Sequence, residues 1–256
     1  KILVIGGTGF IGSHLINFLR KIKNCKITSI SKGNNKKPNK KNLKYLYVDL
    51  NNLKMVKNKL KKDAEYDYVV NLGGYVSHQK LNNGGLKVFE DHLAPIINLI
   101  KIISRKKLKR FVQIGSSAEY GINHDSTKEL VRENPLTFYA AGKVASTHLL
   151  QMLSISENIP ITILRLFQVY GPNQKTDRLI PYAIVSCLKN KKFPLTKCVQ
   201  KRDFCFVDDV VKAIVKSMLI KRATGEVYNV GYGKTVHLKR LVKKIQKDIN
   251  LGCPMF

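Results

Sequence analysis

Short apolar runs rich in β-branched residues alternate along the chain with longer amphipathic stretches. Each run has the length of a strand, and the stretches between the runs have helical periodicity. The runs lie at 2–5, 26–30, 44–48, 67–72, 110–115 and 161–166. Because strands that alternate with helices are typical of a parallel sheet with helices on both faces, the pattern predicts an α/β fold with a doubly wound parallel sheet.

Length and composition agree with a globular protein of one large domain, or of a domain with a smaller lobe. The chain has 256 residues, of which 44% are hydrophobic, and this is enough to bury a sizeable core. No apolar run reaches about 18 residues, so no membrane span is expected. The chain begins with a strand-like run, with neither an initiator Met nor a signal peptide, which favours a cytoplasmic protein.

The cysteines and the charge limit the ligands that are expected. The cysteines are scattered without a C-x-x-C pair, so neither a disulfide framework nor a metal site is predicted. They are Cys25, Cys187, Cys198, Cys205 and Cys253. The net charge of +29 comes mostly from lysines spread along the chain. This indicates compositional bias, so we expect no nucleic-acid partner, although a basic surface favours an anionic substrate.

A glycine-rich segment, GGTGFIG at 6–12, follows the first predicted strand and opens a predicted helix. Counted from Gly7 it reads G-x-G-x-x-G, and counted from Gly6 it reads G-x-x-G-x-x-G through Gly9 and Gly12. In this position glycines let the backbone approach a pyrophosphate held at the helix N-terminus. Either spacing predicts a dinucleotide site.

Candidate catalytic side chains follow the fifth predicted strand. Tyr139 and Lys143 stand four residues apart in FYAAGK, on one face of a helix predicted to begin after Pro135. A nearby ammonium favours the phenolate form of a tyrosine, which can then take or give a proton. Ser116 and Ser117 end the strand, at the edge of the sheet where ligands bind. Alone, each feature is common on protein surfaces.

The glycine loop, the serine pair and the Tyr-x-x-x-Lys segment occur in the order found in the short-chain dehydrogenase/reductase superfamily. The chain resembles its extended branch, the nucleotide-sugar epimerases, dehydratases and reductases. The resemblance is carried by VIGGTGFIGSHL, YVDL, VVNLGG, ILRLFQVYGP, RDFCFVDDVVKAI and GEVYNVGYG. It favours the glycine spacing that starts at Gly6.

The resemblance implies a domain organisation. A Rossmann domain is expected at 1–170, followed at 171–256 by a smaller nucleotide-sugar lobe that is interleaved with the last Rossmann elements. Relatives continue beyond the point where NLGCPMF ends this chain. Part of the lobe is therefore expected to be missing.

The resemblance also implies roles for individual residues. Tyr139 would be the acid/base, Lys143 would lower its pKa and hold the nicotinamide ribose, and a serine would polarise the sugar hydroxyl or carbonyl. Arg202 would bind the substrate diphosphate, and Gln168 stands where an Asn commonly contacts a substrate phosphate. The implied cofactor contacts are Gly6, Gly9, Phe10, Ile11, Gly12, Ser31, Lys32, Asp49, Leu50, Leu72, Gly73 and Lys143.

The chain departs from the family's pattern at the serine turn and on the central helix. SSAEYG is one residue shorter than the usual S-S-A-x-V-Y-G, so counting from the strand selects Ser117 and counting back from Tyr120 selects Ser116. We favour Ser117, because strand phase should be firmer than loop length. His92 stands where an Asn is usual, and we expect a packed rather than a catalytic histidine.

The residues after the second predicted strand bear on the choice between NADP and NAD. NAD-preferring relatives carry an Asp or Glu there, whereas this chain has Ser31 and Lys32 with no acid nearby in the sequence. Ser and Lys could bind a 2′-phosphate that an acid would repel. We therefore expect NADP(H) to be accepted at least as well as NAD(H).

The implied reaction is hydride transfer at C4 of a nucleotide-activated sugar. A 4-epimerase and a 4-keto reductase that serves surface polysaccharide synthesis both fit. A 4,6-dehydratase is disfavoured because those relatives carry Thr-Asp-Glu where this chain has Ser116, Ser117 and Ala118. A relative that binds the dinucleotide without catalysis is a further alternative.

A homodimer is also predicted. The segments HLAPIINLIKIIS and VASTHLLQMLSI are interpreted as helices that are apolar around much of their circumference, and in relatives these helices pair across a two-fold axis. Their apolar residues are Ile96, Ile97, Leu99, Ile100, Ile102, Ile103, Leu149, Leu150, Met152 and Leu153.

Overall fold

A seven-stranded parallel sheet forms the centre of the fold, as the alternating pattern predicts. The computed structural model describes residues 1–33, 37–60, 65–122, 127–192, 194 and 198–249. The strands are β1 (Ile2–Ile5), β2 (Ile27–Ser31), β3 (Leu43–Tyr47), β4 (Tyr68–Asn71), β5 (Arg110–Ser116), β6 (Ile161–Leu166), β7 (Gln168–Tyr170), β8 (Lys201–Phe206), β9 (Val227–Val230) and β10 (Thr235–His237). The large sheet has the order β3-β2-β1-β4-β5-β6-β9, which is a Rossmann arrangement.

Helices cover both faces of this sheet. They are α1 (Phe10–Leu19), α2 (Leu53–Leu60), α3 (Gly85–Ile100), α4 (Phe138–Ser156), α5 (Leu179–Leu188), α6 (Val207–Leu219) and α7 (Leu238–Ile249). Side chains alternate between the two faces of a strand, so in β1 Leu3 and Ile5 belong to the core under α3 and α4. Ile2 and Val4 belong to the core under α1 and α6. A strand buried on both faces reads as a continuous apolar run, which is the pattern in the sequence.

The order of the strands reverses next to β1, because β1 pairs with β2 on one side and with β4 on the other. In open α/β sheets a crevice forms at such a point, beyond the carboxyl ends of the strands. The glycine-rich segment follows β1 and therefore lies at this crevice.

A second, three-stranded sheet was not predicted from the sequence. Its order is β10-β8-β7, with β8 parallel to β7 and antiparallel to β10. A small core of Ala183, Cys187 and Val242 joins α5 to α7 nearby. Two elements after residue 170 are associated with the large sheet: β9 pairs with β6, and α6 packs against one face. The domain boundary at 170 stays a prediction.

The helix predicted around Ile96–Ile103 is shorter than expected. It ends at Ile100, where the N–H of Lys101 donates to the carbonyl of Ile97 and the carbonyl of Leu99 accepts from the N–H groups of Ile102 and Ile103. Ile102 and Ile103, which were placed on this helix, follow its end and are buried in the core under α3 and α4. Burial of these two β-branched side chains favours a turn toward the core over another helical turn.

Some of the sequence predictions lie outside the described residues. These are residues 34–36 of the lysine-rich segment KGNNKKPNKKNLK, which the sequence predicts to be a solvated loop, and the NLGCPMF tail with Cys253. Within the described ranges, no helix combines the length and apolar character needed to cross a membrane.

Candidate active site

The glycine-rich segment is folded tightly at the start of α1. Gly9 is the N-cap residue of this helix and carries no side chain over its first turn. A Cβ on Gly12 would lie 2.2 Å from the carbonyl oxygen of Gly6, so this contact between backbone segments requires glycine. The first N–H groups of a helix have no partner within the helix, so the N-terminus of α1 suits an anionic diphosphate. The structure is thus consistent with the spacing through Gly6, Gly9 and Gly12.

A cleft of about 320 Å³ lies between this loop, the ends of β2, β3 and β4, and α3. Most of the residues proposed to bind the cofactor line it. They are Gly6, Gly9, Ser31, Lys32, Asp49, Leu50, Leu72 and Gly73. Phe10, Ile11 and Gly12 lie beside it, in the first turn of α1. The cleft is therefore built as the dinucleotide interpretation requires, with glycines at one end and an acid at the other.

Lys32 has an acidic neighbour that the local sequence did not show. Its Nζ lies 3.1 Å from Oδ2 of Asp49, which follows β3. No acid is near Lys32 in the sequence, and Asp49 becomes its neighbour in the fold because β2 and β3 are adjacent parallel strands that end at the same edge of the sheet. The ion pair is largely exposed, so it leaves the lysine able to exchange partners.

Helix α3 contributes a polar group to the cleft that sequence reasoning missed. Asp91 accepts hydrogen bonds from Asn51 Nδ2 at 2.7 Å, from the hydroxyl of Tyr75 at 3.0 Å, and from Lys87 Nζ at 2.5 Å. The Lys87/Asp91 spacing on one helix face was visible in the sequence. Its position in the cleft follows only from the packing of α3 against the sheet.

The structure brings Ser116, Tyr139 and Lys143 together beyond β5. Tyr139 is buried in the first turn of α4, and burial raises its pKa, whereas a hydrogen bond with the Ser116 hydroxyl and the charge of Arg178 act to lower it. The favoured residue, Ser117, begins the 3-10 turn that follows β5. The serine that contacts the phenol is therefore Ser116, because β5 is one residue longer than predicted.

Lys143 is fully enclosed one turn after Tyr139. Its Nζ donates a hydrogen bond to the carbonyl of Ile114 at 2.8 Å. Burial lowers the pKa of Lys143 to about 8, so near neutral pH the side chain is close to giving up its proton. The bond holds the ammonium near the end of β5. Tyr139 and Lys143 are four residues apart and share one face of α4.

His92 packs against Tyr139 as a neutral ring. Its Nδ1 lies 2.7 Å from the carbonyl of Val88, so this nitrogen carries the proton. The ring meets that of Tyr139 edge to face, with centroids 5.0 Å apart. Burial and the charge of Lys143 lower the pKa of His92 to about 4. The structure thus shows a packed histidine, as the sequence suggested.

The two residues proposed to bind substrate lie on the small sheet. Gln168 is exposed on β7, and it pairs with Phe204 of β8. Arg202 is exposed two residues earlier on β8, and its Nη1 donates to the carbonyl of Lys201. Both side chains are accessible to a ligand, and Arg202 has a guanidinium face that suits phosphate oxygens. In the described part of the chain, no group of three or more His, Cys, Asp or Glu could hold a metal ion.

Comparison with known proteins shows which family the chain resembles. The family model described as NAD dependent epimerase/dehydratase family matches residues 2–231. The dTDP-D-glucose 4,6-dehydratase of Dictyostelium discoideum is 30% identical over 268 residues, covering 96% of this chain and 61% of that protein. An uncharacterized UDP-glucose epimerase of Bacillus subtilis is 29% identical over 258 residues, covering 96% of this chain and 81% of that protein.

A solved structure of an epimerase has the same fold as this chain. The UDP-N-acetylglucosamine 4-epimerase of Methanobrevibacter ruminantium, in complex with UDP-N-acetylmuramic acid, is 26% identical and superposes with a TM-score of 0.82. The match covers 100% of this chain and 84% of that chain. This chain spans less than two thirds of the Dictyostelium relative.

The burial of His92 predicts a specific dependence of stability on pH. Its pKa is about 4 in the folded chain against an ordinary value of 6.5. Between these values the unfolded chain binds a proton that the folded chain does not, so lowering the pH from 6.5 to 4 destabilises the protein. We expect His92→Asn to remove up to about 3 kcal/mol of this loss, measured by urea unfolding across that range.

The matched control is His78→Asn, at an exposed histidine, which should leave the pH dependence of the unfolding free energy as in the wild type. Equal slopes for wild type and His92→Asn between pH 6.5 and pH 4 would contradict the assignment.

Proposed function

The chain belongs to the NAD dependent epimerase/dehydratase family, and we propose that it acts at C4 of a nucleotide-activated sugar as an epimerase or 4-keto reductase. The observation that carries the proposal is the meeting of Ser116, Tyr139 and Lys143 at the end of β5. These residues lie at the edge of the sheet that also forms the dinucleotide cleft. A cytoplasmic location stays a prediction from the sequence.

The cleft residues fit the family's cofactor, and each has a task that its chemistry suits. The first turn of α1 would hold the diphosphate, and Asp49 would contact the adenosine end. When bound, the dinucleotide supplies hydride acceptance and donation. Lys143 would orient the ribose beside it. The protein's part is to hold the sugar in register and to move a proton at the C4 oxygen.

Tyr139 is the group proposed to move that proton. Its phenol is buried, which favours the neutral form, while Ser116 and the charge of Arg178 favour the phenolate. Burial has the largest effect and keeps the pKa of Tyr139 above its ordinary value, so the proposed role in proton transfer rests on its position beside Ser116. Ser116, which contacts the phenol, would also donate to the sugar oxygen.

Elimination of water, as in a 4,6-dehydratase, is the second candidate because the Dictyostelium relative carries that name. This reaction needs a carboxyl group that reaches the sugar. Glu119 is the acid nearest the serine turn in the sequence, and it is fully buried in an ion pair with Arg165 at 2.8 Å. We therefore rank a dehydratase below the epimerase and the reductase.

The retained cofactor separates the two leading reactions. An epimerase returns the hydride to the same sugar, whereas a reductase consumes one reduced cofactor in each turnover. We would denature the purified full-length protein, assay the released dinucleotide, and offer NADPH with 4-keto-6-deoxy nucleotide sugars. Stoichiometric retained NAD with no NADPH consumption supports the epimerase, and NADPH consumption by a cofactor-free protein supports the reductase, in keeping with a deoxysugar for surface polysaccharide.

Replacing the phenol tests whether the site is catalytic at all. Tyr139→Phe should lower kcat by about 100-fold or more, because it removes the proton carrier, and should leave NADH affinity within about twofold. Lys143→Met should weaken both turnover and binding. Tyr228→Phe, on β9, is the control with the same atom removed. Wild-type turnover in Tyr139→Phe would leave only a dinucleotide-binding protein.

Cofactor preference tests the role of Lys32. We propose that Lys32 can leave Asp49 and pair with a 2′-phosphate, so Lys32→Ala should weaken NADP(H) binding about tenfold and change NAD(H) binding little. Lys26→Ala, just before the other end of β2, is the control. Fluorescence titration of both reduced cofactors gives the measurement, and tighter NAD(H) binding that ignores Lys32 would refute the preference.

We also propose a homodimer through α3 and α4. Six of the ten apolar residues predicted at the interface are buried inside the monomer, and Ile97, Ile100, Leu149 and Met152 remain for a partner. Met152 is 49% exposed and Ile155 is 78% exposed on the same helix. Sedimentation should give a dimer that Met152→Glu dissociates and Leu219→Glu, on α6, does not. A monomeric wild type at micromolar concentration would count against this interface.

A further inference from the structure

The carboxylate of Glu119 is enclosed between three elements of the fold. It is entirely buried in the turn after β5. Oε1 accepts the backbone N–H of Ser116 at 2.7 Å. Oε2 accepts the hydroxyl of Thr147 at 3.0 Å and Nε of Arg165 at 2.8 Å. One side chain thus joins the end of β5, helix α4 and strand β6.

Two of these partners, Ser116 and Thr147, are linked to Tyr139. Ser116 is the serine that contacts Tyr139. Thr147 follows Tyr139 and Lys143 at four-residue steps along α4, so the three side chains share a helix face. The bond from Thr147 to Glu119 therefore fixes the serine turn relative to the helix that carries the tyrosine.

The backbone of β5 leaves space for this carboxylate because it has a glycine beside it. A Cβ on Gly115 would lie 2.6 Å from Oε1 of Glu119, so glycine at this position admits the carboxylate beside β5. The backbone carbonyl of Glu119 also accepts the N–H of Asn134 at 3.0 Å. Residues 127–136 lead directly to Thr137, the N-cap of α4. The turn is thus tied to the segment that precedes α4 as well as to α4 itself.

We propose that Glu119 is a positioning residue, which holds the Ser116 hydroxyl at the Tyr139 phenol by fixing the serine turn against α4 and β6. The proposal rests on the proposed function, since it concerns the same catalytic site. It assigns Glu119 a role other than proton donor to the sugar. Its two oxygens accept three hydrogen bonds, and a group with no exposed surface does not reach a substrate.

The test removes one bond of Glu119 and keeps its charge. Substituting Glu119 itself would remove one of the two carboxylates that pair with the buried Arg165, which can prevent folding. Thr147→Val has nearly the same shape as threonine and loses only the hydroxyl. We expect kcat to fall about tenfold, with KM and NADH affinity within about twofold, because the sugar and dinucleotide contacts are untouched.

Two further variants distinguish positioning from general stability. Thr147→Ser keeps the hydroxyl and should restore kcat to within about twofold of the wild type. Ser154→Ala, on the same helix, removes a buried hydroxyl that donates to the carbonyl of Ile159 at 2.9 Å. It should cost similar stability and leave kcat unchanged.

A readout that needs no turnover is the titration of the Tyr139 phenol in the protein without substrate, followed by NMR of labelled tyrosine. The groups that act on this phenol are Ser116, Glu119, Arg178 and the ring of His92, and Thr147→Val keeps all of them. The Ser116 hydrogen bond lowers the pKa of Tyr139. If the serine turn shifts in Thr147→Val and this bond is lost, the pKa of Tyr139 should rise, and it should not rise in Thr147→Ser.

Folded Thr147→Val protein with wild-type kcat and a wild-type tyrosine titration would overturn the proposal. Absence of sugar turnover in the wild type would instead sink the proposed function, and the titration would still decide whether Glu119 positions Ser116. A rise in the pKa of Tyr139 in Thr147→Val, reversed in Thr147→Ser, supports the positioning role in either case.

Discussion

The buried guanidinium of Arg165 is the constraint on which the catalytic edge of this fold depends. A charge with almost no exposed surface is costly unless it is paired and hydrogen-bonded. Here Glu119 and Glu133 supply carboxylates, and the hydroxyl of Tyr120 accepts a further bond at 2.9 Å. The carbonyl of Glu129 also accepts from it at 3.3 Å. The turn after β5 and the segment before α4 are therefore held in place by one requirement, the neutralisation of a charge on β6.

Burial favours the neutral form of Tyr139, Lys143 and His92. It raises the pKa of the phenol and lowers the pKa of Lys143 to about 8 and that of His92 to about 4. All three groups are thus shifted toward their neutral forms. In such an environment a single hydrogen bond or a nearby charge has a large effect. The contact with Ser116 and the charge of Arg178 act against burial and the charge of Glu119, which keep the pKa of Tyr139 above its ordinary value.

Local pattern was sufficient for most of the fold. Each of the six strands predicted from apolar runs is present, and no boundary moved by more than one residue. The glycine loop and the Tyr139/Lys143 spacing could also be recognised, because each is local to one turn or one helix face, and their roles stay predictions. The small sheet was missed because β7 and β10 have only three residues each, β8 is partly exposed, and their pairing joins segments distant in sequence.

The sequence alone determined the doubly wound sheet, the glycine loop and the Tyr139/Lys143 pair, since each depends on a periodicity within a few residues. Only the tertiary structure decided which serine meets Tyr139, which acid meets Lys32, and that Glu119 is an anchor. Ser116 and Ser117 are adjacent, and successive side chains of a strand point to opposite faces. An error of one residue in assigning the strand therefore selects the wrong serine. Asp49 and Arg165 reach their partners from neighbouring strands, and such contacts depend on strand order and register, which one segment of sequence does not contain.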